Sequence, residues 1–188
     1  KKSVHALLAV TDQLDLGAKG MFGFAGEAEF EQGQASGDDD MEATAGFGLF
    51  IEYSLHRYFD LGFQPQFLWW NTDWNSDNNI DRDTLIDFNI LAKGKYPFFR
   101  KRMELYVAMP LGLSVSIPSG DLDGIDTGVG FNMSIVAGYS FAIFKSFGVF
   151  LEMGWTWHMF SNEPEGGGDS LETSFHQMAF NFGSFYRF

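Results

Sequence analysis

The sequence predicts an all-β fold, namely an eight-stranded antiparallel up-and-down transmembrane β-barrel, on three observations. Apolar and polar residues alternate along eight strand-length stretches, which is the period of a strand with one face in each environment. No apolar run reaches the roughly 17 to 25 residues of a membrane-spanning helix. Long acidic connections alternate with short basic ones. The mean hydropathy of -0.10 is low because lipid-facing and lumen-facing residues average out.

The first four predicted strands show this alternation in turn. Strand one, residues 14 to 30, places Leu14, Leu16, Ala18, Phe22, Phe24, Ala28 and Phe30 outward and Asp15, Lys19, Glu27 and Glu29 inward. Strand two, about 43 to 54, places Phe47, Leu49, Ile51 and Tyr53 outward. Strand three, about 59 to 71, places Phe59, Leu61, Phe63, Phe67 and Trp69 outward. Strand four, about 84 to 96, places Ile86, Phe88, Ile90 and Tyr96 outward.

The second four strands repeat the pattern. Strand five, residues 103 to 117, has the most regular alternation, with Leu105, Val107, Met109, Leu111, Leu113, Val115 and Ile117 outward. Strand six, about 127 to 141, places Val129, Phe131, Met133, Ile135, Tyr139 and Phe141 outward. Strand seven, about 147 to 160, places Val149, Leu151, Met153, Trp155, Trp157 and Met159 outward. Strand eight ends the chain with Phe180, Phe182, Tyr186 and Phe188 outward.

The inward face distinguishes a barrel from a soluble β-sandwich, whose strands also alternate. A sandwich turns a charged face to water, whereas here the second face is rich in Gly, Ser, Asn and Gln with few charges, as a narrow lumen requires. Aromatic residues also collect near the predicted strand ends, which is typical of the belts at membrane interfaces. The sequence therefore favours a membrane barrel over a soluble β-sandwich.

The connections predict the orientation and the domain organisation. Residues 31–42, 72–83, 118–127 and 161–172 form four long loops that hold most of the acidic residues. The turns near 55–58, 97–102 and 142–146 are short and basic. Outer-membrane barrels have short periplasmic turns and long extracellular loops. We therefore expect a bacterial outer-membrane protein with both termini periplasmic, a periplasmic leader over residues 1–13 and a barrel over residues 14–188.

The carboxy-terminal strand and the loop pattern resemble the small outer-membrane proteins of the A, X and W types. The resemblance covers essentially residues 14 to 188 and includes the terminal Phe188 with Tyr186 two positions before it. It implies insertion by the outer-membrane assembly machinery, which reads a terminal strand with a final aromatic residue. It assigns no subfamily.

Composition excludes two classes of function. The chain has no cysteine, so disulfide and thiol chemistry are absent. Its net charge of -13 argues against nucleic acid as a partner, because phosphate binding needs clustered Lys and Arg.

Charged residues on the inward faces are the first candidate site. Seven of them are predicted in the periplasmic half of the lumen: Lys19, Glu52, Asp60, Lys93, Glu104, Glu152 and Arg187. A buried charge is costly unless it is paired, so these residues should form one network. An eight-stranded lumen is just wide enough for side chains to fill it, which favours a structural plug. A gated narrow pore is the alternative.

Two prolines within strands are the second candidate site. Pro65 and Pro110 are predicted at similar depth on either side of strand four, and each lacks the N–H that a ladder needs. A β-bulge is the common explanation of such prolines. The alternative, suggested by the W-type resemblance, is a lateral opening that passes an apolar molecule between lumen and bilayer.

The acidic loops raise the question of a metal. Residues Asp73, Asn75, Asp77, Asn79 and Asp81 recur at every second position, as oxygen ligands do in a calcium loop. Asn78 stands where that motif has Gly, and Thr84 stands where it has a bidentate Glu, so no metal or other cofactor is predicted. Calcium or magnesium ions that bridge acidic loops, such as Asp38 to Asp40, to lipopolysaccharide phosphates are the alternative.

Catalysis has one candidate set, Glu172, Ser174 and His176, on the outward face of strand eight near its outer rim. Residues two apart along a strand are roughly 6.6 Å apart, so a direct nucleophile-to-base hydrogen bond is not assured. The lipid A deacylases of the outer membrane use His, Ser and Glu at such a rim, but their His-x-Ser order is reversed here. A second candidate pair, His158 and Ser161, is predicted on opposite faces of its strand. Because neither set predicts a nucleophile beside a base, the chain is predicted not to be an enzyme.

The sequence therefore predicts a barrel with a structural, anchoring or surface-interaction role, which displays four acidic loops. The expected partners are outer-membrane lipid, lipopolysaccharide, the assembly machinery and another envelope protein. A narrow channel or lateral-opening transporter for small or hydrophobic solutes is the second reading, and a lipid A-modifying enzyme is the third.

Overall fold

The computed structural model describes residues 13–41, 43–70, 83–99, 102–118, 126–163 and 168–188. The strands in these ranges are β1 (Leu14–Gln32), β2 (Ala35–Met41), β3 (Thr44–His56), β4 (Phe59–Trp70), β5 (Asp83–Phe98), β6 (Met103–Ile117), β7 (Gly128–Ala142), β8 (Phe147–Asn162) and β9 (Leu171–Arg187). The described ranges contain no apolar helix of membrane-crossing length.

All strands belong to one antiparallel sheet that closes on itself, because the last strand pairs with the first. Each strand from β3 to β8 pairs with the next in the chain, and β9 also pairs with β1. Both β2 and β3 pair with β1, β2 along Gly26–Gln32 and β3 along Leu14–Gly23. Since β2 continues the path of β3, eight strands surround the lumen. The predicted closed eight-stranded up-and-down barrel is confirmed.

The alternation along each strand separates an apolar exterior from a polar interior. In β6, outward Val107 is 56% exposed and outward Leu113 is 59% exposed, while inward Ser114 is fully buried. Exposed large apolar side chains continue around the wall on the other strands. A sheet that leaves this much apolar surface uncovered is matched to a hydrocarbon environment, where closure satisfies the backbone polar groups.

A β-bulge in β1 reverses which face its residues present. The register of β1 against β9 shifts between Phe24 and Glu27, and Ala25 has a φ of 51° there. The prediction that Ala28 and Phe30 face outward is therefore wrong: Ala28 is fully buried and Phe30 packs against the interior. Glu27 and Glu29, predicted inward, are exposed. The extra residue of a bulge displaces the period-2 pattern by one position, which causes this reversal.

The two ends of the barrel, the terminal end and the loop end, differ in charge. The terminal end carries residues 13, 99, 102 and 188 and the short connections at 57–58 and 143–146. The loop end is the opposite one, where β1 and β2 form a hairpin whose turn and second strand lie within the predicted loop 31–42. The described loop-end residues outside the strands include Asp126, Glu163 and Asp169 but no Lys or Arg.

Candidate functional site

The candidate site is the interior of the barrel. All seven predicted lumen charges face inward: Lys19, Glu52, Asp60, Lys93, Glu104 and Glu152 are buried, and Arg187 is half-buried. The two-residue period of a strand explains why these charged side chains point inward. Each one lies an even number of positions from inward Gly, Ser or Asn residues of its own strand.

Ion pairs connect these charges across the lumen. Lys93 Nζ lies 2.7 Å from Glu52 Oε2, which joins β5 to β3 past the intervening β4. Lys19 Nζ lies 3.8 Å from Glu152 Oε2 and joins β1 to β8. In the low dielectric of a filled lumen such pairs compensate charges that would otherwise be costly to bury.

Arg187 links the closing strand to two others. Its Nη2 donates to Asp15 Oδ2 at 2.8 Å, and its Nε donates to Asp15 Oδ1 at 3.0 Å. Asp15 is the residue directly opposite Arg187 in the β1–β9 ladder, so this pair lies across the seam where the barrel closes. The same Nη2 lies 3.4 Å from Glu104 Oε1 on β6.

Three residues that contact these charges were not among the predicted site residues, namely Lys95, Tyr106 and Asp15. Asp60 pairs with Lys95, whose Nζ lies 2.7 Å from Asp60 Oδ1. Tyr106 donates its hydroxyl hydrogen to Glu152 Oε1 at 2.9 Å, and the Lys93 ammonium lies 4.2 Å from the centre of its ring. Asp15 is the third. All three side chains lie at inward positions of their strands, so the period-2 pattern could have placed them in the lumen. Which charged residue each one contacts depends on the stagger between strands.

A second polar layer lies nearer the loop end. His158 Nε2 lies 3.0 Å from Asp87 Oδ2, and Ser114 donates to Asp87 Oδ1 at 2.6 Å. Asn132 in turn donates to Ser114 Oγ at 3.0 Å. The serine and the histidine both contact the aspartate rather than each other, so this arrangement lacks the nucleophile-to-base contact of a catalytic triad.

An apolar cluster fills the loop end of the lumen. Trp70 stacks on Phe175 with ring centroids 5.2 Å apart, and it contacts Phe160 edge-on at 5.8 Å. The cluster also contains Met21, Ala28, Met41, Leu68 and Leu85. Ala28 belongs to this cluster because of the bulge in β1, which is why the sequence did not predict it.

Two cavities in the described part of the lumen are small. One cavity of about 10 Å³ lies among the charges of the terminal half, and another of about 20 Å³ lies beside His158 and Pro110. A cavity needs about 10 to 15 Å³ to hold one water. Each therefore has room for about one water molecule, and neither is a channel.

The two prolines coincide with gaps in the ladder. Pro65 pairs with Phe88 of β5, and the register of β4 against β3 is the same on both sides of it, although positions 64 and 65 have no paired residue in β3. Pro110 pairs with Leu91 of β5, and the register of β6 against β7 is the same on both sides of it, although positions 109 and 110 have no paired residue in β7. On β5 the two partners are three residues apart, or roughly 10 Å along the strand. The gaps therefore lie in different seams at different depths.

The residues considered for catalysis lie on the outer wall. In the ladder, Ser174 is opposite Glu29 and Met159, whereas His176 is opposite Glu27 and Trp157, so they occupy successive outward positions. His176 stacks on Trp155 at 5.4 Å and lies 3.8 Å from Glu27 Oε2. His158 is buried and Ser161 is exposed, as their parity predicts.

The remaining predicted sites are the metal candidates and the terminal aromatics. The set Asp73, Asn75, Asp77, Asn79 and Asp81 lies outside the described residues. Among the residues that are described, no group of three or more Asp, Glu or His side chains could hold a metal ion. Tyr186 and Phe188 lie on the outer wall with ring centroids 4.9 Å apart.

Comparison with solved structures finds the same fold. The outer membrane protein OprG from Pseudomonas aeruginosa matches with a TM-score of 0.65 at 8% identity, over 94% of this chain and 96% of that chain. Ail, the attachment invasion locus protein of Yersinia pestis, matches at 10% identity over 94% and 99%, with a TM-score of 0.47. No protein-family model and no curated protein sequence matches the chain. OprG establishes the barrel fold.

The Lys93–Glu52 pair makes a testable contribution to stability. Lys93→Met leaves the Glu52 carboxylate buried without its cation, so we expect the free energy of unfolding to fall by about 3 to 5 kcal/mol. Glu52→Gln/Lys93→Met, which removes both charges, should lose much less. Urea unfolding of the refolded barrel in lipid bilayers measures both. A loss in the double variant equal to the sum of the losses in Lys93→Met and Glu52→Gln would show that the two side chains are not coupled.

Proposed function

We propose that this chain is an integral barrel of the bacterial outer membrane whose role is structural, anchoring or surface interaction, without catalysis and without a cofactor. The observation that supports it most is the filled lumen. Ion pairs occupy its terminal half, a polar layer its middle and an apolar cluster its loop end. Such an interior makes the barrel a rigid support.

The outer wall supports the proposed membrane location. Apolar side chains such as Leu111 and Phe131 are exposed on strands whose neighbours are all paired within the described sheet. Tyr53, Tyr58 and Tyr96 are exposed near the terminal end, where an aromatic belt would contact one membrane interface. The fold shared with OprG, an outer membrane protein, favours the same location.

The distribution of charge supports the proposed orientation, with the termini in the periplasm and the loop end outside. The β1–β2 hairpin carries Glu31, Asp38 and Asp40 at the loop end, while Arg57 and Lys145 lie in terminal-end turns. Exposed acidic loops would contact another envelope protein, or lipopolysaccharide phosphates through calcium or magnesium ions. Tyr186 and Phe188, exposed on the last strand, would present the signal for the assembly machinery.

Planar-bilayer recording tests whether the lumen is a plug. Because the cavities hold about one water each, we expect purified, inserted protein to show no conductance steps. Heat-shifted electrophoretic mobility of the same sample verifies that it is folded. Reproducible steps that change in Glu52→Gln or Lys93→Met would contradict the plug and establish the gated pore.

The second candidate function is lateral transfer of apolar solutes. The ladder gaps at Pro65 and Pro110 favour it, as does the apolar cluster that a solute entering from the loop end would meet first. The filled lumen favours the structural role more strongly, because the cavity beside Pro110 has room for about one water molecule only.

Replacing the prolines separates these two functions. Pro65→Ala and Pro110→Ala each restore an N–H that can complete the ladder. With a structural role, we expect the double variant to be at least as stable as the native chain and to leave uptake of an apolar fluorescent solute by proteoliposomes unchanged. If the gaps are openings, uptake should fall severalfold, with Pro97→Ala at the terminal end of β5 as the control.

A further inference from the structure

A groove on the outer wall crosses β7, β8, β9 and β1 near the loop end. Its volume is about 440 Å³, whereas the lumen cavities measure only about 10 Å³ and about 20 Å³. The groove lies outside the lumen, so it is separate from the lumen plug and from the lateral openings considered at Pro65 and Pro110.

The ladder register gives the groove two outward rows of side chains. The row nearer the loop end runs Val129, Ser161, Glu172 and Glu31 from β7 to β1, and the next row runs Phe131, Met159, Ser174 and Glu29. The β7 side is apolar, the β1 side is acidic, and small serines lie between larger neighbours. This difference in side-chain size makes the floor of the groove lower than its edges.

The apolar edge has the character of a surface that contacts hydrocarbon. Val129 is 62% exposed and Met159 is 60% exposed, and Phe131 lies beside Met159 in the ladder. Phe131 and Met159 are one row closer to the middle of the barrel than Val129. An alkyl chain along this edge would therefore run from the loop end toward the membrane interior.

The acidic edge lacks a cation of its own. Glu31 lies directly opposite Glu172, and like charges in that relation repel each other. None of the described residues that line the groove is Lys or Arg. Glu29 and Glu31 face outward because of the bulge at Ala25, so the irregularity in β1 is what places carboxylates on this wall.

We propose that the groove binds a cationic amphiphile, an alkyl chain whose headgroup carries an ammonium group and no phosphate. The ammonium lies among Glu29, Glu31 and Glu172, and the alkyl chain lies along Phe131 and Met159. Charge complementarity selects the headgroup, and the order of the two rows matches a lipid with its head at the loop end and its chain toward the middle. An anionic headgroup at the same place would be repelled.

A fluorescence experiment tests this binding directly, because the chain has no native cysteine. Ser161→Cys, labelled with bimane, places a probe inside the groove, and Leu113→Cys places the same probe on the apolar wall of β6. The protein is reconstituted in phosphatidylcholine nanodiscs and titrated with bromododecylammonium, whose bromine quenches nearby bimane. We expect saturable quenching at position 161 and only weak, linear quenching at position 113.

Charge variants identify the headgroup contact. In Glu29→Gln/Glu31→Gln/Glu172→Gln, the apparent affinity measured at position 161 should fall at least tenfold. The control Asp126→Asn/Glu163→Gln/Asp169→Asn removes the same charge from exposed loop-end positions outside the groove lining and should retain the affinity. Far-ultraviolet circular dichroism verifies the fold of each variant.

Four results would overturn the proposal. They are equal quenching at positions 161 and 113, absence of saturation, equal quenching by bromododecyl sulfate, and an affinity that the groove variant and the loop variant lower to the same extent. The last would show only attraction to the net negative charge of the protein.

Discussion

Closure of the backbone hydrogen-bond ladder between β1 and β9 is the constraint on which the rest of this structure depends. In hydrocarbon no water is available for an unpaired N–H or C=O group, so an open sheet edge cannot be maintained there. The pairing of β9 with β1 from Asp15 to Gln32 removes that edge. Arg187 and Asp15 add a bidentate ion pair across the seam, on the lumen side, at its terminal end.

Closure also determines what the interior must contain. Eight strands enclose a lumen of about side-chain width, so every inward charge lies close to several others and needs a partner among them. Lys93 with Glu52 and Lys95 with Asp60 meet that need in the terminal half. Toward the loop end, Trp70 and its aromatic neighbours fill the lumen with apolar side chains. Ion pairs, a polar layer and an apolar cluster thus follow one another along the lumen, which is why a rigid support is favoured over a pore.

The period of the strands made much of this predictable. In β6 and β3 the period-2 pattern correctly predicted which side chains face the outer wall and which face the lumen. The same pattern placed His158 and Ser161 on opposite faces of β8. It failed beyond Phe24, because the bulge at Ala25 and Gly26 adds one residue and Ala28 then turns inward; Gly26 within the strand was a signal of this bulge that the period-2 pattern does not use. Partner choice inside the lumen, as for Lys95 with Asp60, also escaped prediction, since it depends on strand stagger that no local pattern records. The outer groove follows from the same bulge.

The central claim is that a closed, alternating wall lies in the membrane with its lumen filled. Single cysteines along β6, from Leu105 to Val115, labelled with bimane in bilayers that contain brominated lipid, test this most directly. The account predicts strong quenching at the odd-numbered positions, whose side chains face outward, and little at the even-numbered ones, whose side chains face the packed lumen. Quenching without a period of two, or no quenching at any position, would contradict it.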